Sequence, residues 1–368
     1  MNDPRIVKLA ELLVCYSVKI KPGDKVLVNG TTETAPLLKE VYAQVLRVGG
    51  HPLSLVSLPE TEEIMYRYGT DQQLTFIHPP TKLGIETYDA TISISGADNT
   101  KSLSAVDPAR VVIRNQARRE IMDLFMQRSA AGELRWVGTL FPTNAYAQDA
   151  ELSLRDFEDF VFSACLPDLD DPIGYWERKS ADQQRIVDWL RGRRRVRVTG
   201  PDTDLTLEVT DRLFINCDGR HNMPDGEIFT GPVETSVNGT VRFSYPAIYQ
   251  GRELTGVQLT FKEGKVTAAR ADKNEEFLNK ILDTDAGSRY VGEFAIGTNE
   301  GIRRFTKQIL FDEKIAGSFH MALGAGYPET GSRNRSAIHW DLICDLRRGG
   351  QIRVDDVLLY KDGRFTLG

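Results

Sequence analysis

The chain has 368 residues, of which 41% are hydrophobic and 27% are charged, and its formal net charge at neutral pH is −6. This composition is typical of a soluble globular protein and excludes a disordered or collagen-like chain, while the length favours two domains. The acidic balance argues against nucleic-acid binding, although five arginines between residues 191 and 197 form a local basic run.

The first half of the chain alternates helix-like and strand-like segments. Apolar residues at helical or strand spacing, punctuated by Gly and Pro, define them. In chain order they are helix 6–16, strand 26–28, helix 34–48, strand 52–58, strand 90–95, helix 118–128, strand 136–140 and helix 154–162. This alternation predicts an α/β N-terminal domain with an open, mainly parallel sheet. The turn at residues 29–33 matches neither a phosphate-binding loop nor a dinucleotide fingerprint.

The second half consists mainly of short strands bounded by turns. It follows a connection at residues 166–172 that is rich in Pro and Asp, and a helix at residues 180–190. The predicted elements are strands 195–198, 205–209, 241–244, 254–260, 265–269 and 351–359, with a helix at 274–281. We therefore predict an α/β domain over residues 1–180 and an α+β C-terminal domain, with much antiparallel sheet, over residues 181–368.

The single cysteines and the lack of targeting features predict a protein of a reducing compartment. The four cysteines stand singly in the sequence, without the paired spacing of a zinc ribbon or a disulfide framework. The first ten residues lack the features of a signal peptide, and no run approaches eighteen consecutive apolar residues. We expect a cytoplasmic protein that binds neither membranes nor nucleic acid.

Ionisable residues share one face of a strand-like segment between Ser336 and Asp345. Apolar residues occupy every second position, and the positions between them include His339 and Asp341. Because residues i and i+2 of a strand point the same way, about 6.6 to 7 Å apart, these two side chains can converge on one metal ion. Taken alone, the pair is better explained by an ordinary strand whose polar residues face solvent, and only the wider context favours a metal.

Three other apolar segments each carry one residue of a metal-ligand type. An unpaired imidazole at His320 would be costly to bury, and an ionised Glu293 is rarely buried unless it is paired or bound to metal. Glu227 follows a turn and precedes two apolar residues. Mixed carboxylate and imidazole ligands suit hard or borderline divalent ions, and two such ions close together favour hydrolysis. The sequence contains no nucleophilic serine or cysteine signature.

These residues stand in motifs that resemble the aminopeptidase T and aminopeptidase S family of metallopeptidases. The resemblance covers nearly the whole chain, loosely in the first half and with specific motifs from Glu227 onward. The motifs are Pro224–Thr230, Gly292–Ala295, Phe311–Lys314, His320–Gly324, Tyr327–Gly331 and Asn334–Asp341.

The resemblance implies a dinuclear metal centre in a catalytic C-terminal domain. It implies that Glu293 bridges two divalent ions, with zinc, cobalt, manganese and magnesium as candidates, and that Tyr327 is catalytic. It further implies a homodimer that releases N-terminal residues from short peptides. The implied metal ligands are Glu227, Glu293, Glu313, His320, His339 and Asp341.

Two other interpretations remain open. A triad of His320, His339 and Asp341 would suit mononuclear ferrous iron and ring-cleaving oxygenation, and some hydroxypyridine dioxygenases resemble this family. Alternatively, the protein is a non-catalytic α/β binding module in which these residues are structural. Whether Glu227 and Glu293 also bind metal distinguishes a dinuclear hydrolase from a mononuclear oxygenase.

Overall fold

The structure is a computed structural model that describes residues 3–367. It divides into two compact units. The first extends to Tyr175 and includes Gly219–Pro224, and the second contains Trp176–Asp218 and the residues from Asp225 onward. The predicted domain boundary after residue 180 falls inside the helix Pro172–Leu190 and stays a prediction.

Most of the helices lie in the first unit. None of those between residues 3 and 367 combines the length and apolar character that crossing a bilayer requires. In chain order they are α1 (Pro4–Glu11), α2 (Ala35–Arg47), α3 (Thr61–Tyr68), α4 (Asp71–Thr75), α5 (Pro79–Thr87), α6 (Pro108–Ala130), α7 (Asn144–Asp149), α8 (Leu154–Cys165), α9 (Pro172–Leu190), α10 (Glu275–Leu282) and α11 (Ile309–Asp312).

Most of the strands lie in the second unit. In chain order they are β1 (Lys25–Thr31), β2 (His51–Ser57), β3 (Ala90–Ser95), β4 (Arg135–Leu140), β5 (Arg195–Gly200), β6 (Thr203–Glu208), β7 (Ile215–Cys217), β8 (Asn222–Met223), β9 (Glu227–Thr230), β10 (Asn238–Arg242), β11 (Ala247–Tyr249), β12 (Arg252–Leu254), β13 (Gln258–Lys262), β14 (Lys265–Arg270), β15 (Val291–Gly297), β16 (Ser318–Gly324), β17 (His339–Asp345), β18 (Gln351–Val354), β19 (Val357–Lys361) and β20 (Arg364–Phe365).

A parallel sheet forms the centre of the first unit. Its strand order is β2-β1-β3-β4-β8, and every adjacent pair is parallel. Parallel strands need long crossover connections, which explains the helices between them. Helix α2 buries Leu37, Val41 and Val45, which lie on one helical face. The predicted α/β architecture with an open, mainly parallel sheet is confirmed.

Two antiparallel sheets enclose one hydrophobic core in the second unit. One sheet has the order β14-β13-β10-β6-β5-β18-β19-β20 and the other β17-β16-β15-β9-β7, with β11 and β12 forming a separate hairpin. The core joins Val198 and Leu205 of the larger sheet to Phe294, Phe319 and Met321 of the smaller one. The predicted α+β class of the C-terminal half is confirmed.

Two predicted strands are wrong because turns interrupt them. The predicted strand 351–359 is the hairpin β18–β19, whose two turn residues, Asp355 and Asp356, have φ angles of 48° and 64°. Two successive left-handed residues form the tight turn that matches the twist of a hairpin. The predicted strand 254–260 is divided between β12 and β13 near Gly256, whose φ is 62°.

Candidate metal centre

One face of the smaller antiparallel sheet brings two predicted ligands together across three strands. Glu293 on β15 lies opposite Ala322 on β16, which lies opposite Asp341 on β17. Directly opposed residues on adjacent strands project to the same side of a sheet. The two carboxylates therefore stand on either side of Ala322, whose methyl group leaves space between them.

The same face carries three further predicted ligands. His320 precedes Ala322 by two residues on β16 and so points the same way. His339 lies opposite Gly324 at the start of β17, and Glu227 begins β9, which pairs with β15. Because β15 and β16 are buried along their whole length, Glu293 and His320 are enclosed by the fold.

The imidazoles and carboxylates lie within a few ångströms of one another. His320 Nε2 is 3.5 Å from Glu293 Oε1 and 3.6 Å from Glu227 Oε2, and His339 Nε2 is 3.3 Å from Glu293 Oε2. Asp341 Oδ1 is 3.9 Å from His320 Nε2 and 3.6 Å from His339 Nε2. The two histidines thus face the same pair of carboxylates.

Backbone carbonyls fix the orientation of both imidazole rings. His320 Nδ1 donates to the carbonyl of Glu313 at 3.0 Å, and His339 Nδ1 donates to the carbonyl of Ala325 at 2.8 Å. A proton held on Nδ1 leaves Nε2 of a neutral ring free to bind a metal, and such outer hydrogen bonds accompany most histidine ligands.

Glu313 reaches the cluster from the turn after α11, and Lys314 comes with it. The Lys314 side chain has no exposed surface; its Nζ contacts Glu313 Oε1 and lies 3.9 Å from Glu227 Oε1. Sequence reasoning gave Lys314 no role. The available signal was its position directly after an expected ligand, where a cation affects the charge of the whole site.

The residues present fit a divalent cation. Glu227 Oε2 and Asp341 Oδ1 are buried and accept no hydrogen bond, which is costly for a carboxylate oxygen unless a cation binds it. Among residues 3–367, four sets of possible donor atoms lie within 4.8 Å of one another, and three of them consist of predicted ligands alone. They are Glu227 with Glu293 and His320, Glu293 with His339 and Asp341, and Glu313 with His320 and Asp341.

Comparison with known proteins identifies the family. The sequence profile of the thermophilic metalloproteases (M29) matches residues 2–365. The chain belongs to the thermophilic metalloprotease family M29. Aminopeptidase 2 of Geobacillus stearothermophilus is 30% identical over an alignment of 404 positions, which covers 100% of this chain and 92% of that protein. The predicted family and the predicted enzyme class, a metal-dependent aminopeptidase, are confirmed.

Solved structures with the same fold include a peptidase and an oxygenase. Wild-type AmpT from Thermus thermophilus superimposes with a TM-score of 0.87 at 23% identity, covering 99% of each chain. The 2,5-dihydroxypyridine dioxygenase of Pseudomonas putida KT2440 gives a TM-score of 0.64 at 13% identity, covering 99% of this chain and 97% of that one. At these identities the likeness shows that the M29 fold is shared.

Glu227 and the two histidines of the M29 cluster have raised pKa values. Burial raises the pKa of Glu227 to about 8, and Glu313 and Glu293 add to this rise. Burial opposes charging of the histidines, but the neighbouring carboxylates outweigh it and raise the pKa of His320 to about 10 and of His339 to about 11. Because buried carboxylates are in excess, this site favours the binding of positive charge, either as protons or as a cation.

Tyr327 lies beside the cluster, just after β16. Its ring meets the His339 ring edge to face, with centroids 5.2 Å apart, and contacts Phe229 at 5.3 Å. Partial burial, together with Glu293 and Asp341, raises the pKa of Tyr327 above its ordinary value. The hydroxyl therefore stays protonated and can donate a hydrogen bond. Its predicted catalytic role stays a prediction.

The site is more exposed at His339 than at His320. The His339 side chain is 29% exposed, whereas that of His320 is 1% exposed. A cavity of about 270 Å³ adjoins His339 and Asp341, and its walls include Tyr249, Phe305 and Ile309. The cavity therefore adjoins the His339 side of the cluster in this M29 enzyme, and its walls also include the charged Lys307 and Asp312.

Proposed function

We propose that this metalloprotease removes N-terminal residues from short peptides with a dinuclear metal centre. One observation carries the proposal: the two oxygens of Glu293 face different imidazoles, at 3.5 Å and 3.3 Å. A carboxylate placed in this way is suited to bridge two ions. The proposed ligands are Glu227, Glu293, Glu313, His320, His339 and Asp341.

Each proposed ligand set combines carboxylate oxygens with one imidazole nitrogen. Such sets suit zinc, cobalt, manganese or magnesium, and ions bound there would activate water and polarise the peptide carbonyl. The surplus carboxylates attract the protonated amine of a peptide's N-terminus. Tyr327, kept as a neutral phenol, donates a hydrogen bond from its hydroxyl to the oxygen on which negative charge develops.

The closed end of the site explains why cleavage would occur next to the N-terminus. No chain can continue past the buried His320, so the first residue of the substrate must end near the ligands. The cavity beside His339 and Asp341 is proposed to receive the first side chain, and its walls combine apolar residues with Lys307 and Asp312. The proposal includes a homodimer, as the family resemblance implies.

A metal-stripping experiment tests the proposal. Protein treated with a chelator should lose hydrolysis of aminoacyl-arylamides and dipeptides, and zinc, cobalt, manganese or magnesium should restore it. Elemental analysis should then find about two ions per chain. N-acetylated versions of the same substrates serve as controls, because they lack the free amine and should not be cleaved. Cleavage of both forms alike would contradict an aminopeptidase.

The competing proposal is a mononuclear iron oxygenase. The dioxygenase described above shares the fold of this chain. The donor geometry favours the hydrolase, because His320 and His339 belong to different sets of mutually close donor atoms, each containing a glutamate. About one iron per chain, oxygen consumption and no peptide hydrolysis would favour the oxygenase instead.

A further inference from the structure

Lys314 is a buried cation inside the proposed metal centre. Resting on the dinuclear function proposed above, we infer that Lys314 makes the two metal positions unequal. Its ammonium competes with the ion held by Glu227, Glu293 and His320, and leaves the position of Glu293, His339 and Asp341 the stronger of the two.

The first argument is charge. The ammonium contacts Glu313 Oε1 and lies 3.9 Å from Glu227 Oε1, so it already neutralises part of the negative charge that an ion at this position needs. A like charge at such a distance in a poorly solvated site strongly opposes a second cation. The ion must therefore share its carboxylates with Lys314.

The second argument is that Lys314 cannot withdraw into solvent. Its side chain has no exposed surface. Its backbone N–H donates to the carbonyl of Phe311 at 3.0 Å, and its carbonyl accepts from the N–H of Asn299 at 3.0 Å. Since the backbone is held on both sides, the ammonium stays within the cluster when an ion arrives.

The other metal position is shielded from this competition. Glu293 and Asp341 interact with His339, whose side chain is 29% exposed. Within residues 3–367, the ion pairs of Lys314 are with Glu313 and Glu227, and neither partner belongs to this second set. The first ion should therefore bind at Glu293, His339 and Asp341, and a chain with limited metal should carry one ion.

The experiment titrates stripped protein with cobalt and follows heat and bound metal. In the wild-type protein the two dissociation constants should differ by at least about tenfold. Lys314→Met and Lys314→Gln should tighten the weaker step by at least about tenfold and change the stronger step by less than about threefold. Lys314→Arg keeps the charge and should keep the steps apart.

The outcomes separate this inference from the function beneath it. Two ions of equal affinity in the wild-type protein, or an unchanged weaker step in both neutral variants, would overturn the inference and leave the dinuclear centre standing. A single ion in every variant at saturating cobalt would overturn both. Equal affinities in the wild-type protein would overturn the inference even if a variant does not fold.

Discussion

At the scale of single residues, the Glu293 carboxylate joins the two histidines and is the group whose loss should matter most. We expect Glu293→Gln to lower kcat/KM by at least about a hundredfold and to reduce bound metal, since an amide binds divalent ions poorly in this setting. Glu276→Gln, on an exposed helix position, is the matched control and should change neither quantity. Full activity in Glu293→Gln would exclude the bridging role.

A second prediction at this scale concerns protons. Neighbouring carboxylates, against the effect of burial, raise the pKa of His320 to about 10 and of His339 to about 11, so both rings are protonated at pH 7 without metal. Ligation requires neutral rings and an ionised Glu227, whose pKa is raised to about 8, so metal binding at pH 7 should release about three protons and strengthen as the pH rises.

The measurement is calorimetric titration of stripped protein with metal in buffers of different ionisation enthalpy. The heat should vary linearly with that enthalpy, and the slope gives the protons released. The stability of the metal-free protein depends on pH in the opposite direction to metal binding. The ion pairs of the two histidines stabilise the metal-free fold fully below about pH 6.5, and their contribution is lost as the pH rises through the raised pKa values. A slope of zero would show that the histidines are not ligands.

At the scale of elements, the space over Ala322 depends on a small side chain in the central strand. We expect Ala322→Val to reduce bound metal and to cost about 1 to 3 kcal/mol of unfolding free energy in the stripped protein, because two more carbons must fit between Glu293 and Asp341. Ala268→Val, at an exposed position of β14, should change stability by less than about 0.5 kcal/mol. Equal metal content in both variants would contradict this account.

The sequence indicated β16 by its apolar run around His320. It indicated the ligand-bearing part of β17 by the alternation of apolar and ionisable residues. It could not predict that Glu293 and Asp341 face each other across Ala322, since that depends on a register shift between Val291 and Glu293 in the β15–β16 pair. Pairing register is set by contacts distant in sequence. The aspartate turn in the hairpin β18–β19 was missed because flanking valines suggested one continuous strand.

At the scale of the whole molecule, the change from alternating helices and strands to short strands was enough to predict both fold classes. The order of strands within each sheet was not predictable, because neighbours such as β5 and β18 are far apart in the chain. The return of Gly219–Pro224 to the first unit also left no signal, since β8 has only two residues.

The division into two units leads to a prediction about where metal stabilises the molecule. All six proposed ligands belong to the second unit, and a ligand that binds only the native state stabilises it by about 3 kcal/mol at a hundred times its dissociation constant. Hydrogen exchange should therefore show faster opening of β9, β15, β16 and β17 after metal removal. The parallel strands β1, β3 and β4 should keep their protection, because none of the ligands lies in their unit. Equal loss of protection in both sheets would mean that the metal holds the entire chain together, and no change in either would mean that these residues bind no metal.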